Sequence, residues 1–223
     1  VGGSSQIVKT IDPIITAAGG TILVSADVEN VIIENNTAVG VRMMDGNQLY
    51  AKNIVSNAGI MTTYNKLIPQ KEVEKYAIKK QLQKVNRSVS HASLYIGLDG
   101  SPEELGIPKC NYWVYPEKGD HDNCVHNYLK DISQPFPLVY LSFPSAKDPD
   151  WSNRYPGKST IDVITLIPYE TFEAWKDTPW KKRGADYETK KEEIAQRLLK
   201  EVFKQLPQVK GKISCYELST PLT

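Results

Sequence analysis

A series of short β-rich runs, each closed by turn-forming residues, constrains how the N-terminal part of the chain folds. The runs cover residues 21–25, 28–34, 39–44 and 47–51. Asn35-Asn36 and Asp45-Gly46 separate the later runs. Both pairs tolerate the positive φ angles of tight hairpin turns. The sequence therefore predicts a β-meander over residues 21–51.

A helix is predicted before this meander and a further strand after it. Apolar residues recur at helical spacing over residues 4–18, and Gly19-Gly20 provide a stop signal. Residues 53–59 read Asn-Ile-Val-Ser-Asn-Ala-Gly. An apolar run that ends in small residues predicts a short buried strand whose backbone another group can approach closely.

The composition changes near residue 70, and tyrosine and tryptophan become frequent beyond it. Hydrophobic periodicity predicts helices over 72–85 and 187–206 and strands over 90–98, 138–143, 160–167 and 212–218. Such an order favours an antiparallel or mixed sheet covered by helices on one face. We therefore expect an α+β fold in two parts, residues 1–70 and residues 71–223.

Charge and cysteine content exclude several classes of function. The formal net charge is +1, so no electrostatic footprint favours nucleic acid. Cys110, Cys124 and Cys215 include no Cys-x-x-Cys pair, which argues against a disulfide framework. The sequence shows no signal peptide and no apolar run of roughly 18 residues. We expect a cytoplasmic protein or one peripheral to a membrane.

The common self-contained sites are missing from the sequence. It has no Gly-x-Gly-x-x-Gly between a strand and a helix, no Walker loop and no Gly-x-Ser-x-Gly elbow. Cys110, His121, Cys124 and His126 lie close in sequence, but their spacing does not match a zinc site. We therefore expect no metal, and the sequence assigns no catalytic residue.

A group of aromatic residues is the strongest candidate for a ligand pocket. Flat side chains with polar tips can line a cavity for a long apolar ligand, although core packing explains the same residues. The group consists of Tyr112, Trp113, Tyr115, Tyr140 and Phe143. Of these, Tyr112, Trp113 and Phe143 are the candidate substrate-binding residues.

Several motifs, taken in order, resemble the middle of a phytoene desaturase-like flavoprotein. The earlier ones are Ala18-Gly19-Gly20-Thr21-Ile22, Val39-Gly40-Val41 and Ser56-Asn57-Ala58-Gly59. The later ones are Phe143-Pro144-Ser145-Ala146-Lys147-Asp148-Pro149 and Arg154-Tyr155-Pro156-Gly157-Lys158-Ser159-Thr160. The later motifs narrow the resemblance to the retinol saturase group within the carotenoid desaturase and isomerase family.

The resemblance implies an FAD-dependent oxidoreductase that acts on CH–CH groups of a conjugated isoprenoid and saturates a retinoid double bond. A carotenoid isomerase or desaturase is the alternative enzyme, and a non-catalytic module that binds apolar ligands is the alternative of a different class. FAD is the implied cofactor, with NAD(P)H as a candidate electron donor. The implied partner is an apolar polyene, peripheral membrane contact fits such a substrate, and the oligomeric state is open.

Members of this family carry a glycine-rich fingerprint near the N-terminus and a second flavin segment near the C-terminus. Neither is present here, so we expect an internal piece of a longer protein that is inactive and binds no FAD by itself. Residues 1–70 would be a partial FAD-binding domain with a helix, the meander and a return strand. Residues 71–223 would be a substrate-binding domain that is truncated at its C-terminus.

The resemblance also implies which residues of the first part contact the flavin. Val28 matches a position that meets the adenine through its backbone, which reads the base edge whatever the side chain. Ser56, Asn57, Ala58 and Gly59 match a segment that passes near the dinucleotide. Ordinary strand packing is the alternative for all five residues.

Overall fold

The computed structural model describes residues 5–85, 88–116 and 120–223. Among the described residues, the chain divides into two compact units: an N-terminal unit from residue 9 to residue 85, and a C-terminal unit from residue 88 onwards that also includes residues 5–8. This division lies further along the chain than the predicted residue 70. The reason is that the helix Gln70–Lys75 buries Val73 completely and contacts the turn Thr63–Leu67, so it belongs with the N-terminal unit.

The predicted meander forms with three strands instead of four. Helix α1 (Ser5–Ala17) precedes an antiparallel sheet of β1 (Val28–Glu34), β2 (Thr37–Met43) and β3 (Gln48–Tyr50). Asn35 and Asn36 have φ angles of 48° and 63°, as the hairpin prediction requires. The strand predicted over residues 21–25 is wrong, because that segment pairs with no described strand.

Two further predictions for the N-terminal unit are wrong. Residues 53–59 form no strand and are exposed except for the half-buried Ile54, and Val55 is 91% exposed. The helix predicted over 72–85 is split at Ala77, whose φ of 51° is left-handed and cannot continue an α-helix. The helical segments here are α2 (Ile60–Thr62), the π-helical turn Thr63–Leu67, α3 (Gln70–Lys75) and α4 (Ile78–Leu82).

The C-terminal unit is built on a five-stranded sheet in the order β5-β6-β7-β4-β8, and every neighbouring pair is antiparallel. This confirms the predicted α+β class with an antiparallel sheet. The strands are β4 (Ser90–Asp99), β5 (Tyr112–Val114), β6 (Val139–Ser142), β7 (Lys158–Ile167) and β8 (Ile213–Ser219).

The buried residues of the helices pack in the core on one side of this sheet. The helices are α5 (His121–Lys130), α6 (Pro144–Lys147), α7 (Trp151–Arg154) and α8 (Ala185–Gln205). Short 3-10 turns occupy Tyr169–Thr171, Glu173–Trp175 and Pro207–Val209. The predicted apolar stripe of α8 is buried at Ile194, Leu198 and Val202, whereas Phe203 is half-buried. Strand residues such as Leu94, Leu141 and Val163 share the core with this stripe.

Burial alternates along the strands of this unit. In β4 and β7 every second residue is buried, and the residues between are exposed or half-buried. Successive side chains of a strand point to opposite faces, so one face carries the core and the other does not. No helix among residues 5–85, 88–116 and 120–223 is long and apolar enough to cross a membrane.

Candidate functional site

The face of the five-stranded sheet opposite its core is the strongest candidate for a binding surface. We call it the open face and define it by Tyr95, Trp113, Tyr140, Asp162 and Ile164. Strand register places Trp113, Tyr140 and Ile164 side by side across β5, β6 and β7. The next row places Asp162 beside Tyr95 of β4. The open face therefore spans four neighbouring strands.

Aromatic side chains dominate one row of the open face. The ring centroids of Trp113 and Tyr140 lie 4.7 Å apart, and the two rings are tilted by 58°. Trp113 is 59% exposed and Tyr95 is 49% exposed. Ile164 adds half-buried aliphatic surface to the same row. Contiguous apolar surface of this kind marks interaction sites or ligand-binding surfaces on soluble proteins.

A small polar cluster lies beside the aromatic row of the open face. Asp162 pairs in register with Ser142 of β6, and both residues are half-buried. Lys147, at the end of α6, donates hydrogen bonds to Ser142 Oγ at 2.9 Å and to Asn111 Oδ1 at 2.5 Å. Burial raises the pKa of the Asp162 carboxyl above its usual range, and the charge of Lys147 opposes this shift. We call Asn111, Ser142, Lys147 and Asp162 the polar cluster.

The three predicted substrate-binding residues are not brought together. Phe143 is fully buried in the core and meets Tyr112 edge to face at 5.4 Å. Trp113 lies on the open face, because neighbouring residues of a strand point to opposite sides. Core packing therefore explains Tyr112 and Phe143. Trp113 remains a candidate substrate-binding residue on the open face.

Sequence reasoning missed most of the open face. Tyr95, Ile164 and Asp162 occupy the strand positions between the buried residues of β4 and β7. Their strand parity was available as a signal, since the buried residues follow a period of two. Lys147 had no such signal, because it reaches the sheet from a four-residue helix.

The candidate flavin residue Val28 opens β1, the edge strand of the three-stranded sheet. It pairs with Met43 of β2 on one side and is 37% exposed. A cavity of about 400 Å³ is lined by Asp27, directly before Val28, and by Met43. A half-exposed edge backbone beside a cavity fits contact with the flat edge of a base, so this end of β1 is compatible with an adenine.

The second candidate flavin segment, Ser56 to Gly59, is an exposed loop instead of a strand end. The Ser56 and Thr63 hydroxyl oxygens lie 2.7 Å apart, which ties the loop to the π-helical turn. Gly59 has a φ of 82°, and a Cβ placed there would have no atom within 4 Å. The open space allows a ligand to approach the backbone, and the positive φ favours glycine at this position.

No group of His, Cys, Asp and Glu that could hold a metal ion occurs among the residues that the structure describes. Cys110 is exposed and Cys124 is half-buried, and all three cysteines are free thiols. His121 contacts the ring of Tyr115 edge to face at 5.3 Å. These residues therefore provide no assembled metal centre in the described part of the chain.

Comparison with curated proteins confirms the resemblance found in the sequence. The chain is 37% identical over its whole length to all-trans-retinol 13,14-reductase of Danio rerio. It is 32% identical to a second Danio rerio protein named inactive all-trans-retinol 13,14-reductase and 30% identical to a chloroplastic prolycopene isomerase of Daucus carota. The chain spans 38% of the first two relatives and 33% of the third. No family model matches the chain.

Two solved structures share the fold at low sequence identity. A Pyrococcus furiosus protein superposes with a TM-score of 0.56 at 16% identity, covering 97% of this chain and 43% of that chain. An oxidoreductase from Methanosarcina mazei superposes with a TM-score of 0.52 at 16% identity and covers 97% of this chain and 42% of that one. Similarity at this identity supports the fold.

Proposed function

We propose that this chain supplies the substrate-binding sheet and part of the flavin-binding domain of an FAD-dependent oxidoreductase that saturates a double bond of a retinoid-like isoprenoid. The observation that carries the proposal is the 37% identity, over the whole chain, to a protein named all-trans-retinol 13,14-reductase. Because the chain spans 38% of that relative, the activity of a whole protein is part of the proposal.

The open face supports a polyene as the substrate. Trp113, Tyr140 and Ile164 form a row of apolar side chains across three strands, and a conjugated chain can lie along such a row. Burying a chain of about twenty carbons at roughly 25 cal/mol per Å² supplies several kcal/mol of binding free energy. The polyene would pack on the aromatic rings while the sheet excludes water from one of its sides.

FAD is the cofactor that this proposal requires, and when bound it would carry the electron transfer. The residues of this chain would bind and orient it. The backbone of Val28 would meet the adenine at the edge of the three-stranded sheet, and Gly59 would let the dinucleotide approach the loop closely. NAD(P)H as electron donor and a peripheral membrane contact stay predictions.

Isomerisation of a carotenoid is the second candidate reaction, because prolycopene isomerase is a relative at 30% identity. A non-catalytic module for apolar ligands is the candidate from another class. It is supported by the 32% identity to a relative named inactive. The open face serves all three functions equally well, so turnover has to distinguish them.

A chimeric enzyme tests the proposal. The chain would replace the aligned segment of the Danio rerio all-trans-retinol 13,14-reductase, and the purified chimera would be assayed for flavin absorbance and for products. We expect a flavin-loaded chimera that saturates all-trans-retinol. A chimera that isomerises prolycopene instead supports the second candidate. A flavin-loaded chimera that converts neither polyene contradicts the enzyme proposal and favours the non-catalytic module.

A further inference from the structure

The polar cluster lies next to the aromatic row of the open face, so a ligand that packs on this row would have charged groups near one of its ends. We propose that Asp162 and Lys147 recognise the hydroxyl end of an isoprenoid alcohol and thereby select alcohols over hydrocarbons and carboxylic acids. This inference rests on the proposed function, since it assumes that a polyene lies on the open face.

The position of Asp162 is the first observation. It lies on a central strand, between Ser142 of β6 and Tyr95 of β4 in the same row. The neighbouring row holds Trp113, Tyr140 and Ile164. A ligand that packs on the aromatic row therefore reaches the row of the carboxylate within two residues along the strand, a distance of roughly 6.8 Å.

The second observation is that the Asp162 carboxylate has no hydrogen bond or ion pair with any side chain in the described ranges 5–85, 88–116 and 120–223. A half-buried carboxylate has lost part of its water and gains from any new donor. Burial raises the pKa of this group, which records the same loss of water. Asp162 is thus an acceptor that a ligand can satisfy.

Lys147 provides the complementary donor. Its ammonium group has three N–H donors, and two of them are used by Ser142 Oγ and Asn111 Oδ1. The third has no side-chain partner among the described residues, and Ser142, which accepts one of the other two hydrogen bonds, is the cross-strand neighbour of Asp162. One acceptor and one donor match a hydroxyl group, which both donates and accepts.

The same pair discriminates against the other two end groups. A carboxylate ligand has no proton for Asp162 to accept, and repulsion by the Asp162 charge opposes its attraction to Lys147. A hydrocarbon end removes water from both groups and returns no hydrogen bond. Sites that bind a hydroxyl group reject analogues that lack it for this reason. An alcohol is therefore the end group that the polar cluster fits.

Binding to the chain tests this inference independently of turnover. The chain would be titrated with all-trans-retinol, with the same polyene lacking the hydroxyl group and with the corresponding acid, by quenching of tryptophan fluorescence. We expect retinol to bind about tenfold more tightly than either analogue, since one charge-assisted hydrogen bond to a half-exposed group has about this effect.

Two substitutions of Asp162 test whether this carboxylate sets the preference between the ligands. Asp162→Leu removes the acceptor, so the preference for retinol over the hydrocarbon should fall to about onefold. Asp162→Asn keeps an acceptor and removes the charge, so the acid should gain about tenfold relative to retinol. Asp177→Asn, on an exposed loop residue, is the matched control and should leave both ratios unchanged.

The outcomes separate this inference from the proposed function. Equal binding of alcohol and hydrocarbon by the unaltered chain overturns the inference, even if the chimera saturates retinol. Ratios that do not respond to either Asp162 substitution also overturn it, because a structural role would change affinity for every ligand alike. A chain that binds no polyene rejects the inference together with the open face as the substrate site, whereas an inactive chimera rejects only the proposed reaction.

Discussion

Tyr112 and Trp113 are neighbours in sequence but have different surroundings. Tyr112 packs against the fully buried Phe143, whereas Trp113 packs against Tyr140 at the open face. A single step along a strand reverses the direction of the side chain. Two adjacent aromatic residues therefore have different roles, since Tyr112 packs against the core and Trp113 forms part of the candidate binding surface.

Trp113→Ala should weaken polyene binding in the chimera by about 1–3 kcal/mol, because a large aromatic contact is lost from the ligand surface. Flavin absorbance should not change, since the candidate flavin residues are Val28 and the loop from Ser56 to Gly59. The dissociation constant for all-trans-retinol is the measurement. Trp180→Ala, which removes an exposed tryptophan outside the sheet, is the control. Equal effects of both substitutions would argue against the open face.

Asp162→Asn should raise the melting temperature of the chain at pH 8. The folded pKa of Asp162 is raised, so its favourable contribution is complete below the unfolded pKa of about 3.9 and is lost as the pH rises through the folded value. The variant cannot ionise and avoids that loss. The difference in melting temperature from the unaltered chain should shrink as the pH approaches 4. Binding residues commonly reduce the stability of the folded protein. A variant that melts at a lower temperature at pH 8 would contradict the view that ionised Asp162 destabilises the fold.

At the scale of elements, α8 supports the sheet beneath the open face. Its 21 residues bury Ile194, Leu198 and Val202 against the covered side of the strands. The side chain of Arg197, on the same helix, also donates hydrogen bonds to the carbonyl oxygens of Ile132 and Gln134. The helix thereby connects the sheet to the segment between α5 and β6.

Leu198→Ala should reduce the free energy of unfolding by about 2–5 kcal/mol, because the side chain is fully buried and a cavity would remain. Urea denaturation followed by circular dichroism measures the loss. Leu129→Ala removes the same atoms from an exposed position of α5 and should cost far less. Similar losses for the two variants would mean that α8 does not carry the core.

The segment held by Arg197 has its own pH dependence. Hydrogen bonds from Gln134 and Ser133 lower the pKa of Asp131 to about 2. A lowered pKa contributes stability above the unfolded value of about 3.9, and this stability is lost as the pH falls towards 2. Asp131→Asn should therefore make the free energy of unfolding depend less on pH between the folded and the unfolded pKa of Asp131. An unchanged pH dependence of the free energy of unfolding would show that the hydrogen bonds of Asp131 do not stabilise the fold.

At the scale of the whole molecule, the two units differ in how much core they contain. In the described residues of the N-terminal unit, burial of hydrophobic side chains is confined to Val31, Met43, Val73 and Leu82. The C-terminal unit buries residues on four strands and on α8 in one continuous core. Stability should therefore be distributed unevenly along the chain.

Amide hydrogen exchange should be slowest in β4 and β7 and faster in the meander. Strand β4 pairs with β7 and β8 on its two sides, and its inward residues are buried beneath α8. The meander keeps its hairpins but has a sparse core. Exchange followed by mass spectrometry would resolve peptides from the two regions. Faster exchange in β4 and β7 than in β1 and β2 would contradict this order.

Local patterns determined most of the elements. Alternation of apolar residues predicted β4, β6, β7 and β8, helical spacing predicted α8, and the Asn35-Asn36 pair predicted the first hairpin. The errors lie where local preference has no supporting contact, as over residues 53–59, or where one left-handed residue interrupts a pattern, as at Ala77.

The candidate site needed the tertiary structure. Asp162, Ser142 and Tyr95 become neighbours only through strand register, and Lys147 bonds to Ser142 from a separate helix. Periodicity is a property of adjacent residues, so the sequence by itself determined which segments become strands and helices. Register and burial depend on residues far apart in the chain, and for this reason only the tertiary structure decided which side chains form the open face.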